Sequence, residues 1–140
     1  MTTAIDSNIF IAFWDASDTL NSIAQSALTA AWNRGSLVVA APVYVELLAF
    51  PGRSEAFLDA FLRETAITIE WEMDEAIWRT AGRAFQAYAA RRKRHQGSAP
   101  RRILADFLIG AHALRNGYRL LTLDSGLYRS AFPRLAIVRV

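Results

Sequence analysis

The sequence has 140 residues, with 16 Lys and Arg against 13 Asp and Glu, and a formal charge of +3 at neutral pH. That length suits one domain, and 53% hydrophobic with 11% aromatic residues supplies a core, which excludes a disordered or low-complexity chain. The absence of Cys excludes disulfide frameworks, thiolate zinc sites and thiol nucleophiles, fits a reducing cytoplasm, and leaves oxygen or His as the ligands for any metal. No apolar run approaches the roughly 20 residues of a membrane span, and the start, Met1 to Trp14, lacks a basic n-region and is interrupted by Asp6. The expectation is a single cytoplasmic domain over 1–140 with no membrane partner.

In chain order, Thr3 to Ile5 reads as a short strand running into Asp6, Ser7 and Asn8, residue types that cap helices, and a short helix follows to about Trp14. Asn21 to Arg34 has helical apolar spacing and stops at Gly35, read as a left-handed cap. Leu37 to Ala41 reads as a buried strand, Val43 to Phe50 as a helix opened by Pro42, and Ser54 as the cap of a helix to Thr65. A strand near Ala66 to Ile69 precedes a long helix opened by Asp74, which carries Ile77, Trp78, Ala81, Phe85 and Tyr88 on one side and turns basic at Arg91. After a loop over Gln96 to Pro100 come a helix from Arg101 to Asn116 closed by Gly117, a strand from Leu120 to Leu123, a turn at Asp124-Ser125-Gly126 into a short helix, and a last strand from Ala136 to Val140. Strands separated by helices predict an α/β fold, a three-layer α/β/α sandwich with a mostly parallel central sheet.

Nine of the thirteen carboxylates, Glu70 among them, sit at helix starts or among polar neighbours, where solvation accounts for them. Asp6, Glu46, Asp106 and Asp124 stand in apolar surroundings instead, and an unpaired buried carboxylate is expensive. Singly, Asp6 or Asp124 suits a cap or a turn, and Asp106 has Arg102 four residues before it as an ion-pair partner. Together, all four fall at or within about a turn of the carboxyl edge of a parallel sheet, where such folds bind ligands. Two unit charges about 4 Å apart repel by about 4 kcal/mol at an effective dielectric near 20, so a cluster needs a cation. An oxygen-only acidic site favours Mg²⁺ or Mn²⁺, and the matching substrate is a phosphodiester, because the ion binds a phosphate oxygen and activates water.

The segments Ala4-Ile5-Asp6-Ser7-Asn8-Ile9, Ala41 to Leu48 around Glu46, Asp106-Phe107-Leu108-Ile109-Gly110-Ala111-His112-Ala113 and Leu120 to Asp124 resemble, in order and spacing, the PIN domain, and more narrowly the VapC toxins of toxin–antitoxin pairs. The resemblance spans essentially the whole chain. It implies an endoribonuclease in which Asp6, Glu46, Asp106 and Asp124 are catalytic and hold Mg²⁺ or Mn²⁺, with Asn8, Thr122 and Ser125 orienting them by hydrogen bonds. It also implies a cognate antitoxin that blocks the site, toxin homodimers and toxin–antitoxin hetero-oligomers. Tyr128 stands where that family often has Phe.

Arg91, Arg92, Lys93 and Arg94, with Arg101 and Arg102, suit contact with an RNA backbone, although a basic helix terminus also complements the macrodipole. His112 lies six residues after Asp106, about 600° around a helix, so neither it nor His95 is expected at the metal. Among the Trp residues, Trp32 and Trp78 have core spacing and Trp14 is the most open to an interface role. The alternatives are a PIN-type RNA-processing nuclease without an antitoxin, a non-catalytic RNA-binding module, and a phosphotransferase of receiver or dehalogenase type. The last is disfavoured because Asp6-Ser7-Asn8 lacks a second Asp and no Lys follows Lys93.

Overall fold

The computed structural model describes residues 1–94 and 104–140. The chain begins with β1 (Thr2–Ile5), α1 (Ser7–Trp14), α2 (Asn21–Arg34), β2 (Ser36–Ala40), α3 (Ala41–Leu48) and α4 (Glu55–Glu64). It continues with β3 (Ile67–Glu70), α5 (Glu75–Arg94), α6 (Leu104–Asn116), β4 (Arg119–Leu121) and α7 (Ser125–Ala131). The sheet order is β3-β2-β1-β4, and every pairing is parallel. Helices flank this sheet, as the sequence predicts, and β1 and β2 are buried almost throughout, as strands covered on both faces must be.

Helix starts follow their caps. Asp6 accepts from the Ser7 N–H at 2.8 Å, Ser54 from Phe57 at 3.0 Å and Asp74 from Ile77 at 3.0 Å. Pro42 occupies the first turn of α3, where its missing N–H costs nothing. At the end of α6, Gly117 at φ 71° allows the Tyr118 N–H to reach Ala113 O and its own N–H to reach Leu114 O, closing the helix in a Schellman motif. Gly35 differs from the expected cap: at φ 151° and ψ −155° it is extended in a way only glycine tolerates, and a Cβ there would lie 2.1 Å from Met1 O.

The predicted final strand is a correction. Ala136 to Val140 contributes a single parallel bridge, Leu120 to Ile137, made by Leu120 N–H to Ala136 O and Val138 N–H to Leu120 O, both 2.9 Å. No ladder extends from it because β4 is only three residues long. Beyond Leu121 the backbone donors go to side chains: Leu123 N–H to Asn8 Oδ1 at 3.1 Å and Asp124 N–H to Thr122 Oγ1 at 3.0 Å. The polar residues after β4 therefore end the strand where the sheet edge becomes a site.

Trp78 is a second correction. Ile77, Ala81 and Tyr88 form the buried stripe of α5, whereas Trp78, about 100° around the helix from Ile77, is 50% exposed. Trp32 is half-buried, and its Nε1–H donates to Thr65 O at 3.0 Å. Among the described residues no helix is long and apolar enough to cross a membrane.

Candidate active site

The strand order reverses at β1. The connections leaving β1 and β2 run toward β3, and the one leaving β3 returns to β4 on the other side of β1, so the crevice between the carboxyl ends of β1 and β4 is the switch point of the sheet. Asp6 emerges there, and its N–H pairs with Leu121 O at 2.9 Å.

Asp6 is 4% exposed, and its carboxylate is held on both oxygens. Oδ1 accepts from the Ser7 N–H; Oδ2 accepts from Thr122 Oγ1 at 2.8 Å, Tyr128 OH at 3.0 Å and Asn8 Nδ2 at 3.3 Å. Every one of these donors is neutral, and among the described residues no Arg or Lys pairs with Asp6. Burial therefore pushes the carboxyl above its usual range, against the lowering pull of the Thr122, Tyr128 and Ser7 hydrogen bonds.

Glu46, half-buried on α3, is joined to Asp6 through Ser7, whose Oγ donates to Glu46 Oε1 at 2.8 Å. Its carboxyl is also raised, by burial first and further by the Asp6 charge, with the Ser7 hydrogen bond opposing. Asp106 lies in the first turn of α6, half-buried. Its charge, with those of Asp6 and Glu46, acts on the phenol of Tyr128, whose pKa is raised well above the ordinary value by burial first and then by Asp6. Three carboxylates from β1, α3 and α6 thus converge electrostatically on one hydroxyl. Asp124 is tied to the site through its backbone, its N–H donating to Thr122 Oγ1. Thr122 and Asn8 stand where the sequence predicts, and Asn8 Nδ2 also donates to Thr122 Oγ1 at 3.2 Å. Ser125 opens α7 directly after Asp124, and among the described residues no hydrogen bond joins its side chain to Asp6 or Glu46.

Sequence reasoning missed two members. Ser7 reads as a cap residue, and its side chain is the bridge between Asp6 and Glu46. Tyr128 reads only as standing where the family often has Phe, and its hydroxyl is a direct donor to Asp6. Its only signal was a hydroxyl one position after Leu127 on the short helix that follows Asp124.

Among the described residues no three carboxylate or imidazole side chains are already gathered into a metal cage. The donor set nonetheless fits a hard divalent ion: two neighbouring carboxylates whose burial disfavours the charged form, held by neutral donors, with no cation paired to either among the described residues.

The other expected residues fall elsewhere. Arg91 to Arg94 form the last turn of α5, and one turn before them Tyr88 packs on Phe107, the neighbour of Asp106, with ring centroids 5.4 Å apart. His95, Arg101 and Arg102 lie outside the described residues, as does the suggested Arg102–Asp106 pair. His112 is 1% exposed and away from the carboxylates, with Nε2 2.8 Å from Glu70 Oε1; Tyr118 OH donates to Glu70 Oε2 at 2.8 Å. Glu70 is thus a paired tertiary contact and not a merely solvated carboxylate. Trp14 packs among Phe10, Phe50, Phe57 and Phe61, with the Arg53 guanidinium 4.6 Å over its ring.

The fold is similar to solved structures of toxin–antitoxin proteins. VapBC2 from Rickettsia felis, bound to a promoter DNA fragment, superposes with a TM-score of 0.67 at 18% identity over 99% of this chain and 98% of that one. VapBC-1 from nontypeable Haemophilus influenzae gives 0.66 at 20% identity over 99% and 97%. A toxin–antitoxin complex from Klebsiella pneumoniae gives 0.62 at 15% over 98% and 96%. Comparison with curated protein sequences returns no match. The family model of the PIN domain matches residues 3–133, and the chain belongs to the PIN-domain family, whose members are nucleases that use divalent metal ions.

Proposed function

We propose that this protein is a Mg²⁺- or Mn²⁺-dependent endoribonuclease, the toxin of a toxin–antitoxin pair, acting in the cytoplasm. The observation that carries the reading is the buried Asp6 carboxylate, fixed by neutral donors beside Glu46 at the switch point of a PIN fold. Asp6, Glu46, Asp106 and Asp124 would hold the ion. When bound, a divalent ion supplies charge compensation to the carboxylates and Lewis-acid polarisation to the phosphate and the attacking water. Thr122, Asn8 and Tyr128 all donate to Asp6 Oδ2 and so hold the carboxylate in one orientation. Ser7 holds Glu46 against it. The basic last turn of α5 supplies charge for the RNA backbone near Asp106.

The likeness to VapBC and other toxin–antitoxin structures supports a cognate antitoxin as the protein partner, with homodimers and hetero-oligomers as the assemblies. The test is cleavage of end-labelled total RNA by antitoxin-free protein with Mn²⁺ or Mg²⁺. EDTA, Asp6→Asn and Asp106→Asn serve as controls. Discrete cuts that vanish in all three controls are expected; full activity in either variant overturns the assignment.

A further inference from the structure

A second polar feature lies toward the opposite ends of the strands. A groove of about 460 Å³ is lined by Arg34, Arg119 and Arg139 with Ala136, Ile137 and Val138. Arg34 ends α2 two residues before Ser36, which is in register with Thr2; Arg119 opens β4 in register with Thr3. Arg139 follows the bridge that Ile137 makes to Leu120. No acidic side chain lines the groove. Among the described residues none of these arginines has a carboxylate or carbonyl partner, and Arg119 Nε is sealed from solvent with no acceptor at all. By contrast, Arg79 on α5 is paired with Glu75 at 2.6 Å; Arg53, whose Nε is likewise buried without an acceptor, has its guanidinium spread over aromatic rings.

Cationic side chains gathered without a counter-charge, one of them partly desolvated, form a surface that gains by meeting an anion. Guanidinium forks match phosphate oxygens in pairs, whereas the apolar floor formed by Ala136, Ile137 and Val138 offers no group that would select a sugar or a base. The occupant follows from position. Arg119 opens β4 at the end opposite Asp6, with the fully buried Leu120 and Leu121 between them, so an RNA that enters the crevice would reach the groove by passing over the β4 side of the sheet. We propose that this groove binds the phosphodiester backbone of the RNA substrate away from the scissile bond. The inference rests on the nuclease reading for the identity of the RNA, while the groove's affinity for a phosphate backbone is independent of cleavage.

The test uses the full chain in EDTA, so that binding is measured without cutting. Fluorescein-labelled bulk transfer RNA serves as a structured polyanion. It is titrated against wild type, against Arg34→Gln/Arg119→Gln/Arg139→Gln, and against a charge-matched control, Arg63→Gln/Arg79→Gln/Arg83→Gln, drawn from exposed helical positions outside the groove. The groove variant is expected to bind at least tenfold more weakly, with a salt dependence shallower by about two to three in log–log slope, as loss of that many phosphate contacts requires. The control is expected to stay within about threefold. Equal weakening in both variants overturns the proposal in favour of bulk charge, and unchanged affinity in the groove variant overturns it outright. Arg119→Lys keeps the charge and removes the fork, and serves if the triple variant unfolds; wild-type affinity in that variant would likewise overturn a paired phosphate contact. A further arm measures melting with inorganic phosphate. If phosphate stabilises wild type alone while RNA affinity is the same in both, the groove takes a small anion and not a backbone. Failure of wild type to cleave with Mn²⁺ would sink the nuclease reading and leave these binding outcomes intact.

Discussion

At the scale of single residues, Tyr128 separates two ways of keeping a buried carboxylate. An Asp in an apolar pocket either takes up a proton or is surrounded by donors, and Asp6 has donors on both oxygens. Removing the Tyr128 hydroxyl by Tyr128→Phe leaves the ring, which is fully buried, and deletes one of the donors to Oδ2. A net hydrogen bond to a charged group is worth about 1.5–3 kcal/mol, part of it recovered by Thr122 and Asn8. We expect cleavage to fall roughly tenfold with the melting temperature within a few degrees of wild type. A loss as complete as that of Asp6→Asn, or no loss, would refute the orienting role. The four carboxylates stood out in the sequence as candidates because charge in apolar context needs a reason, and of these the structure links Asp6 to Glu46 through Ser7. Ser7 was legible only as a cap, since a one-dimensional pattern does not show that Glu46, 39 positions on, accepts from it.

At the scale of elements, the motif around Asp106 owes its glycine to packing. A Cβ on Gly110 would meet the buried Phe132 ring at 2.3 Å. Gly110→Ala should raise the intrinsic helicity of α6 by about 1 kcal/mol, and overpacking against Phe132 should cost about 1–3 kcal/mol. Net destabilisation in urea unfolding is expected, and a stabilised variant would refute the contact. Between α3 and α4 the link is Tyr44 OH to Asp59 at 2.8 Å, and the Asp59 carboxylate pushes the phenol up to about 12. A raised phenol means that the fold keeps a proton which the unfolded chain releases from about pH 10. Its contribution is therefore full below pH 10 and is lost as pH rises toward 12. Tyr44→Phe should lower the melting temperature at pH 7, where the contribution is full, and flatten the pH dependence of melting between pH 10 and 12. Helices and their caps were readable because caps and apolar spacing are local. The length of β4 and the loss of a fifth strand were not, because the side chains of Asn8 on α1 and of Thr122 just past β4 take the donors that a longer ladder needs.

At the scale of the whole molecule, stability and function oppose each other at the switch point. Burial, and for Glu46 the neighbouring Asp6 charge, raise both carboxyls, so the folded state binds their protons more tightly than the unfolded chain does. Their stabilising contribution is present below the usual carboxylate range and is lost as pH rises through the folded values, leaving the ion-free protein burdened at neutral pH. Glu46→Gln keeps an acceptor for Ser7 and removes the charge. We expect the ion-free variant to melt above wild type at pH 7.5, with the gap closing as pH falls toward 4. A divalent ion that binds only the folded state adds RT ln(1 + [M]/Kd), about 2.7 kcal/mol at a hundredfold excess over Kd, which is several degrees for a chain of this length. Mn²⁺ should therefore raise the melting temperature of wild type by several degrees and that of Glu46→Gln by much less, reversing their order. If Mn²⁺ stabilises both proteins equally, Glu46 holds no ion. If the ion-free order is already wild type above variant, then Ser7 and the surrounding donors compensate the charge by themselves, and the carboxylates carry no electrostatic debt for a metal to relieve.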